Sequence, residues 1–290
     1  DEYQCRPNGE CVSKMTKHLT EAAKACYRDY GYHTPIDVLS ETKACRLLQK
    51  FQQAEVNFPE ALGPFGRNNA HLTFMCLDEI AHHKVILDAV EDLLGPDFYL
   101  WGSVLFIKEP ESAGFVSWHQ DATYMGLMPH DFVTVWLALT VSNEEAGCMR
   151  VIPGSHVNGI KIHEDTFGQH NILTRGQRIV DVDQNQALDI VLRPGQASLH
   201  HPRLIHGSRP NCSGHRRVGV ALQSYVASHV RQTVGTHYAL AVRGRELDDC
   251  IVRLQRPQSD MTPGAVAQRE KVNRNYAEIL YRGADQVRGY

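Results

Sequence analysis

Through the first third of the chain, apolar residues recur at the spacing of a helix. Thr16 to Tyr30 carries the pattern and Gly31 stops it. Ser40 to Phe51 repeats it, with Ser40 placed as the N-cap and Glu41 and Thr42 opening the first turn. Asp78 to Leu94 predicts a third helix, closed by Gly95 and Pro96. From Phe98 the texture changes to short apolar runs rich in β-branched and aromatic residues. These are Phe98 to Ile107, Phe115 to Trp118, Val133 to Val141, Met149 to Ile152, Ala187 to Leu192, Ala197 to His200 and Val218 to Val226. Gly, Pro, Asn and Asp separate them, with Glu109 to Gly114 and Pro153 to Ser155 as loops. Such a series predicts a β-sandwich or barrel. Pro263 to Tyr281 predicts a closing helix.

The expected architecture is one domain over residues 1–290, mainly β with flanking helices. Its parts are a helical stretch over about 1–97, a β-core over about 98–228 and a C-terminal helical extension over about 229–290. Composition agrees: 42% of residues are hydrophobic and 22% charged, which is ordinary for a globular chain. The net charge of -3 offers no basic domain or stripe, so a nucleic-acid partner is not expected. No run approaches the roughly 18 apolar residues of a membrane helix, so no membrane partner is expected either. The oligomeric state is not legible. The N-terminus lacks the basic-then-apolar order of a signal peptide, and a removed leader stays open because the chain does not start with Met. The eight cysteines form no C-x-x-C pair and point to a reducing, cytoplasmic setting. Cys76 and Cys148 read as small core residues, and Cys5 and Cys11 could bridge in a secreted protein.

Chemistry concentrates where the run Phe115 to Trp118 meets His119-Gln120-Asp121. A strand has a side-chain period of two, so His119 and Asp121 should share a face, with Gln120 turned away. His163-Glu164-Asp165 repeats the spacing without strand texture before it and reads as a solvated loop. Alone, His119 and Asp121 could also be a core histidine beside a turn-opening aspartate. Further on, Ser198 to Ser208 brings His200, His201 and His206 to the end of another strand, and Arg216-Arg217 opens the next. One more imidazole would complete a two-histidine, one-carboxylate set that leaves three positions open on Fe(II). Those positions fit a bidentate 2-oxo acid and O2, and an arginine fork suits the distal carboxylate of 2-oxoglutarate.

At these residues the chain resembles the phytanoyl-CoA dioxygenase (PhyH) family of Fe(II)/2-oxoglutarate-dependent oxygenases. The resemblance covers roughly Trp101 to Tyr225 well and the first third more loosely. Its carriers are Trp118-His119-Gln120-Asp121, Val135-Trp136-Leu137-Ala138-Leu139, Gly147-Cys148-Met149, Val151-Ile152-Pro153-Gly154-Ser155-His156, and His206-Gly207-Ser208 followed by Arg217. It implies a double-stranded β-helix, a jelly-roll, cupin-like core. It implies a dioxygenase that takes Fe(II), 2-oxoglutarate and O2, hydroxylates an unactivated C–H bond and releases succinate and CO2.

The resemblance assigns His119, Asp121 and His206 to the iron. Arg217 and Ser208 go to the distal carboxylate of 2-oxoglutarate, and Lys108 and Trp136 to its surroundings. Only one of Arg216 and Arg217 can face the cofactor, and the match favours Arg217. If His206-Gly207-Ser208 is only a turn, His201 is the alternative third ligand; His156, His200 and His201 are otherwise expected around the site or on the surface. Halogenating relatives have a small residue in place of the carboxylate, so Asp121 points to hydroxylation, with desaturation or cyclisation as alternatives. A cupin-like metalloenzyme of another class would need neither Arg217 nor Ser208. Arg67, Asn68, Asn69, His71 and Tyr124 suit a small, polar, anionic substrate. Leu93-Leu94-Gly95-Pro96 through Phe106-Ile107-Lys108-Glu109 looks like bacterial members that hydroxylate aminoalkylphosphonates, which makes 2-aminoethylphosphonate or an N-methylated analogue the candidate.

Overall fold

A computed structural model describes residues 3–5, 11–13, 17–63, 67–245 and 247–287. The side chains of Cys5 and Cys11 lie outside the described residues. Helix α1 spans Glu21–Tyr30, later than the predicted Thr16 start, because Thr20 caps it and accepts the Ala23 N–H. Just before it, the Asp92 carboxylate takes the amides of Lys17, His18 and Leu19 and holds that segment out of the helix. Helix α2, Glu41–Asn57, starts at Ser40 as expected, with the serine side chain accepting from Lys43 N. The predicted third helix is two, α3 (Met75–Ala81) and α4 (Lys84–Leu94), broken where His83 turns extended. The apolar period runs through the break, so periodicity alone merges them. The C-terminal helix α5 spans Pro263–Leu280.

The strands that frame the site are β1 (Tyr32–Asp37), β2 (Phe98–Leu100), β3 (Val104–Lys108), β4 (Val116–His119), β5 (Phe132–Ala138), β6 (Met149–Val151), β7 (Leu188–Ile190), β8 (Gln196–His200), β9 (His206–Ser208), β10 (Arg217–Ala227) and β11 (Tyr238–Arg243). The larger sheet runs Val252–Arg253, β11, β2, β10, β5, β8, β1, with β3 also paired to β10; the smaller runs β7, β6, β9, β4. Two strands lie where helices were expected. β1 follows Gly31, which sits in the left-handed region at φ 82, and β1 tolerates Pro35 because it pairs on one side only, at the sheet edge. β11 falls inside the expected helical extension.

The larger sheet is covered on both faces. Val133, Val135, Leu137, Val218, Val220 and Leu222 pack with Ile86, Leu87 and Val90 of α4 on one side. Trp136, Ala138 and Ala221 pack on the other side with Met149, Val151 and Ile190 of the smaller sheet. Double burial explains why β5 and β10 read as nearly continuous apolar runs rather than alternating ones. Cys76 and Cys148 are buried as expected. The result is a double-stranded β-helix of jelly-roll type, wrapped by helices. Among the described residues no helix is long and apolar enough to cross a membrane.

Candidate metal centre

His119 ends β4 and His206 begins β9, and the two are direct partners in the antiparallel pairing of the smaller sheet. Their rings lie 4.1 Å apart between centroids. The expected reason for Asp121 joining them needs correction. The strand stops at His119, and Asp121 has helical angles (φ -58, ψ -41) at the head of the short turn Ala122–Met125. The carboxylate still converges on the pair, with Oδ1 3.4 Å from His119 Nε2 and 3.7 Å from His206 Nε2. One ligand atom from each residue falls within 4.8 Å of the others.

The surroundings prepare these three groups to hold a cation. His119 Nδ1 lies 2.9 Å from Ser117 O and His206 Nδ1 lies 3.0 Å from Leu204 O. A carbonyl only accepts, so each proton sits on Nδ1 and each Nε2 lone pair faces the carboxylate, the tautomer a metal ligand needs. Burial and the neighbouring His119 push the His206 pKa down to about 3, which keeps it neutral. Burial weighs against charge on Asp121, a cost that a cation held by the three groups would offset. Its other oxygen, Oδ2, accepts from the Thr134 hydroxyl at 3.2 Å and lies 3.5 Å from His200 Nε2. Two neutral imidazoles and one carboxylate, gathered on one side, are a donor set that fits a divalent ion with open positions. His201 is not part of it: its ring meets Tyr27 and His156, and its Nδ1 accepts the Arg203 N–H. His156 reaches Arg28 O and packs against Gly31.

Beside the triad, an interior pocket is lined by Trp136, His200, Ser208 and Arg217 together with the three candidate ligands. Lys108 is not among its walls but gives Nζ to Oγ of the lining residue Ser208 at 2.7 Å and to the carbonyls of Gly147 and Arg209. Arg217 donates to Gly147 O, leaves Nε without a partner, and lies 5.2 Å over the Trp136 ring. Gly219 sits under that ring, so close that a Cβ there would meet Trp136 Cζ2 at 2.0 Å. Both cations are fully buried, and among the described residues neither pairs with a carboxylate. Burial first, then Arg217, pulls Lys108 down to about 6, and burial pulls Arg217 to about 10. Two buried positive groups without a counter-charge are costly unless an anion comes to them. Arg216 points the other way, into ion pairs with Glu55 and Glu109.

A second, wider cavity shares His119, Asp121 and Phe106 with the first and opens outward. Arg67, Asn68 and Tyr124 line it, as do Trp101, Tyr276 and Tyr281. Asn69 and His71, expected there, are not among its walls. Asn69 holds Asn273 and the Ser103 amide from a left-handed position, and His71 is buried against Ser103 Oγ at 2.6 Å. Burial lowers the His71 pKa to about 3, so it is a neutral packing residue. Tyr276 and Tyr281 were missed because nothing in a C-terminal amphipathic helix marks which side reaches a distant cavity. Thr134 was missed because a strand threonine carries no signal of its own.

Comparison with known proteins agrees with this geometry. Residues 27–219 match the family described as phytanoyl-CoA dioxygenase (PhyH). A probable alpha-ketoglutarate-dependent hypophosphite dioxygenase of Stutzerimonas stutzeri is 27% identical over 213 residues, which are 66% of this chain and 73% of that protein. The peroxisomal phytanoyl-CoA dioxygenase of Homo sapiens is 31% identical over 131 residues, 43% of this chain and 39% of its own. Among solved structures, the apo form of the non-haem monooxygenase ThoJ has a TM-score of 0.80 at 32% identity, covering 90% of this chain and 98% of that one. CytC3 with Fe(II) and alpha-ketoglutarate shares the fold, with a TM-score of 0.63 at 22% identity over 86% of this chain and 100% of that one.

Proposed function

The chain belongs to the phytanoyl-CoA dioxygenase (PhyH) family of Fe(II)- and 2-oxoglutarate-dependent dioxygenases, and on that premise we propose that it hydroxylates a small phosphonate carrying an N-methylated amine. In this reading His119, Asp121 and His206 hold Fe(II) on one side. Arg217, Ser208 and Lys108 take the distal carboxylate of 2-oxoglutarate, and Trp136 walls the pocket. When bound, the metal with 2-oxoglutarate and O2 supplies the oxidant that places hydroxyl on a substrate carbon, with succinate and CO2 released.

The protein's own part is orientation and shielding. Thr134 and His200 bracket Oδ2 of Asp121, which leaves Oδ1 toward the two imidazoles. Phe106 lines both the interior pocket and the outer cavity, so co-substrate and substrate approach His119 and Asp121 from different sides.

One observation carries the substrate reading: Arg67 and five aromatic rings line the outer cavity, whose only carboxylate among the described residues is Asp121. Arg67 is the group for a phosphonate, and its Nε is unpartnered. A bare ammonium wants a carboxylate, whereas an alkylated one is served by aromatic rings such as those that line this cavity. Among the relatives, the one described as a probable hypophosphite dioxygenase is named for a phosphorus oxyacid, which supports this reading. The test is incubation with 2-aminoethylphosphonate and its mono-, di- and trimethyl forms, reading succinate and the phosphorus NMR signal together. Succinate should rise in step with a shifted phosphorus resonance and increase with methylation. Succinate no higher than the substrate-free background across the series would overturn the reading.

A further inference from the structure

The second histidine–acid pair, His163 and Asp165, lies on a surface loop as its sequence suggests, yet His163 turns inward to the ligand-bearing turn. Its Nδ1 donates to Lys161 O at 2.9 Å, which leaves Nε2 as an acceptor. That acceptor takes the backbone N–H of Gln120, the residue between His119 and Asp121, at 3.0 Å. Gln120 then uses its whole side chain to fasten neighbouring segments. Nε2 donates to Gly159 O and Arg203 O, and Oε1 accepts the Lys161 N–H. Gln120 is fully buried, so these bonds have no solvent substitute.

We infer that His163 is a positioning residue for the metal-binding turn, setting the direction of Asp121 through the Gln120 amide. The need for it follows from the fold. β4 ends at His119, so no sheet ladder fixes Asp121, and the turn that carries it is only four residues long. A hydrogen bond to the peptide between the two ligands therefore restrains the Asp121 carboxylate relative to the His119 ring. The Arg203 bond extends the brace to the loop that leads into His206. Asp165, two residues on, braces a different part: it pairs with Arg175 at 2.9 Å and accepts from Tyr124 at the cavity wall.

The inference rests on the triad being the metal site, and metal binding measured without turnover tests both separately. Co(II) titration of the apoprotein should give one tight site in wild type, and Co(II) bound no tighter after His206→Ala than at adventitious sites. His163→Leu should weaken Co(II) about tenfold, the low end for loss of a group that orients a ligand. The apoprotein's melting temperature should fall by only a few degrees, from the unsatisfied Gln120 N–H. His163→Gln, which places an acceptor where Nε2 stood, should restore most of the affinity, and Asp165→Asn should leave it unchanged. Where His163→Leu does not fold, His163→Ser, which leaves room for water, takes its place. Wild-type Co(II) affinity in the Leu or Ser variant, or a Gln variant as weak as either, would overturn the clamp while leaving the triad intact. A wild-type protein without a tight Co(II) site would overturn the triad itself.

Discussion

Lys108 and Arg217 stand directly opposite each other in the antiparallel pairing of β3 and β10, and both side chains reach inward to the Gly147 carbonyl. Like charges do not gather in a protein interior for packing. The pair predicts a dianion between them, and the first test is which arginine matters. Arg217→Ala should weaken 2-oxoglutarate by about 2–4 kcal/mol, roughly thirtyfold or more. Arg216→Ala should leave it nearly unchanged and cost only stability, since its partners are Glu55 and Glu109. Anaerobic titration of the Fe(II) protein, following the visible band of the chelate, separates the two.

Lys108 makes the same pocket sensitive to pH. Its pKa in the empty protein is about 6, below its ordinary 10.5. Between those values the unfolded chain binds the extra proton, so this group makes the empty protein more stable as pH rises through that window. A bound dicarboxylate favours the charged form, so binding near pH 7.5 should draw up to about one proton onto Nζ. Calorimetry of 2-oxoglutarate binding to the Co(II) protein in two buffers of different ionisation enthalpy would measure it. Lys108→Met should abolish the uptake; equal uptake in both proteins would refute the assignment.

Metal binding should also show in thermal stability. Co(II) at one hundred times its Kd should add about 2.7 kcal/mol, a rise in Tm of about 5 °C. Chelation should reverse it, and Asp121→Asn should remove most of it. A Tm indifferent to Co(II) in the wild-type protein would contradict a three-ligand centre.

Arg67→Gln tests the outer cavity. The KM for a phosphonate substrate should rise about tenfold or more, as for loss of a hydrogen bond to a charged group. The KM for 2-oxoglutarate should hold, because Arg67 lines the outer cavity and not the interior pocket. Parallel changes in both constants would mean that the variant disturbs β3, whose Ile107 carbonyl Arg67 also holds.

Much of this was legible in the chain because it is local. Ser40, Gly31 and Gly95 mark helix ends through caps that need only a few neighbouring residues. The short apolar runs mark strands, and the order His119, Asp121, His206, Arg217 marks residues that the fold brings together. What escaped is set by distant contacts. β1 holds a proline and lacks strict alternation, and only its pairing with β8 makes it a strand. Asn69 and His71 are as polar as Arg67, but their partners Ser103 and Asn273 turn them away from the cavity. The inward turn of His163 depends on a backbone N–H more than forty residues earlier, which no spacing rule connects.

The alignment of His119 with His206 has a consequence for assembly of the protein itself. β4 is a four-residue strand at the edge of the smaller sheet, held on its outer side by loop bonds such as Ile179 N–H to Trp118 O. A slip of one residue would face Trp118 inward and His119 to solvent, scattering the imidazoles. An ion captured by both rings would penalise every slipped arrangement, so the proposed centre would also act as a proofreader of how its own edge strand docks.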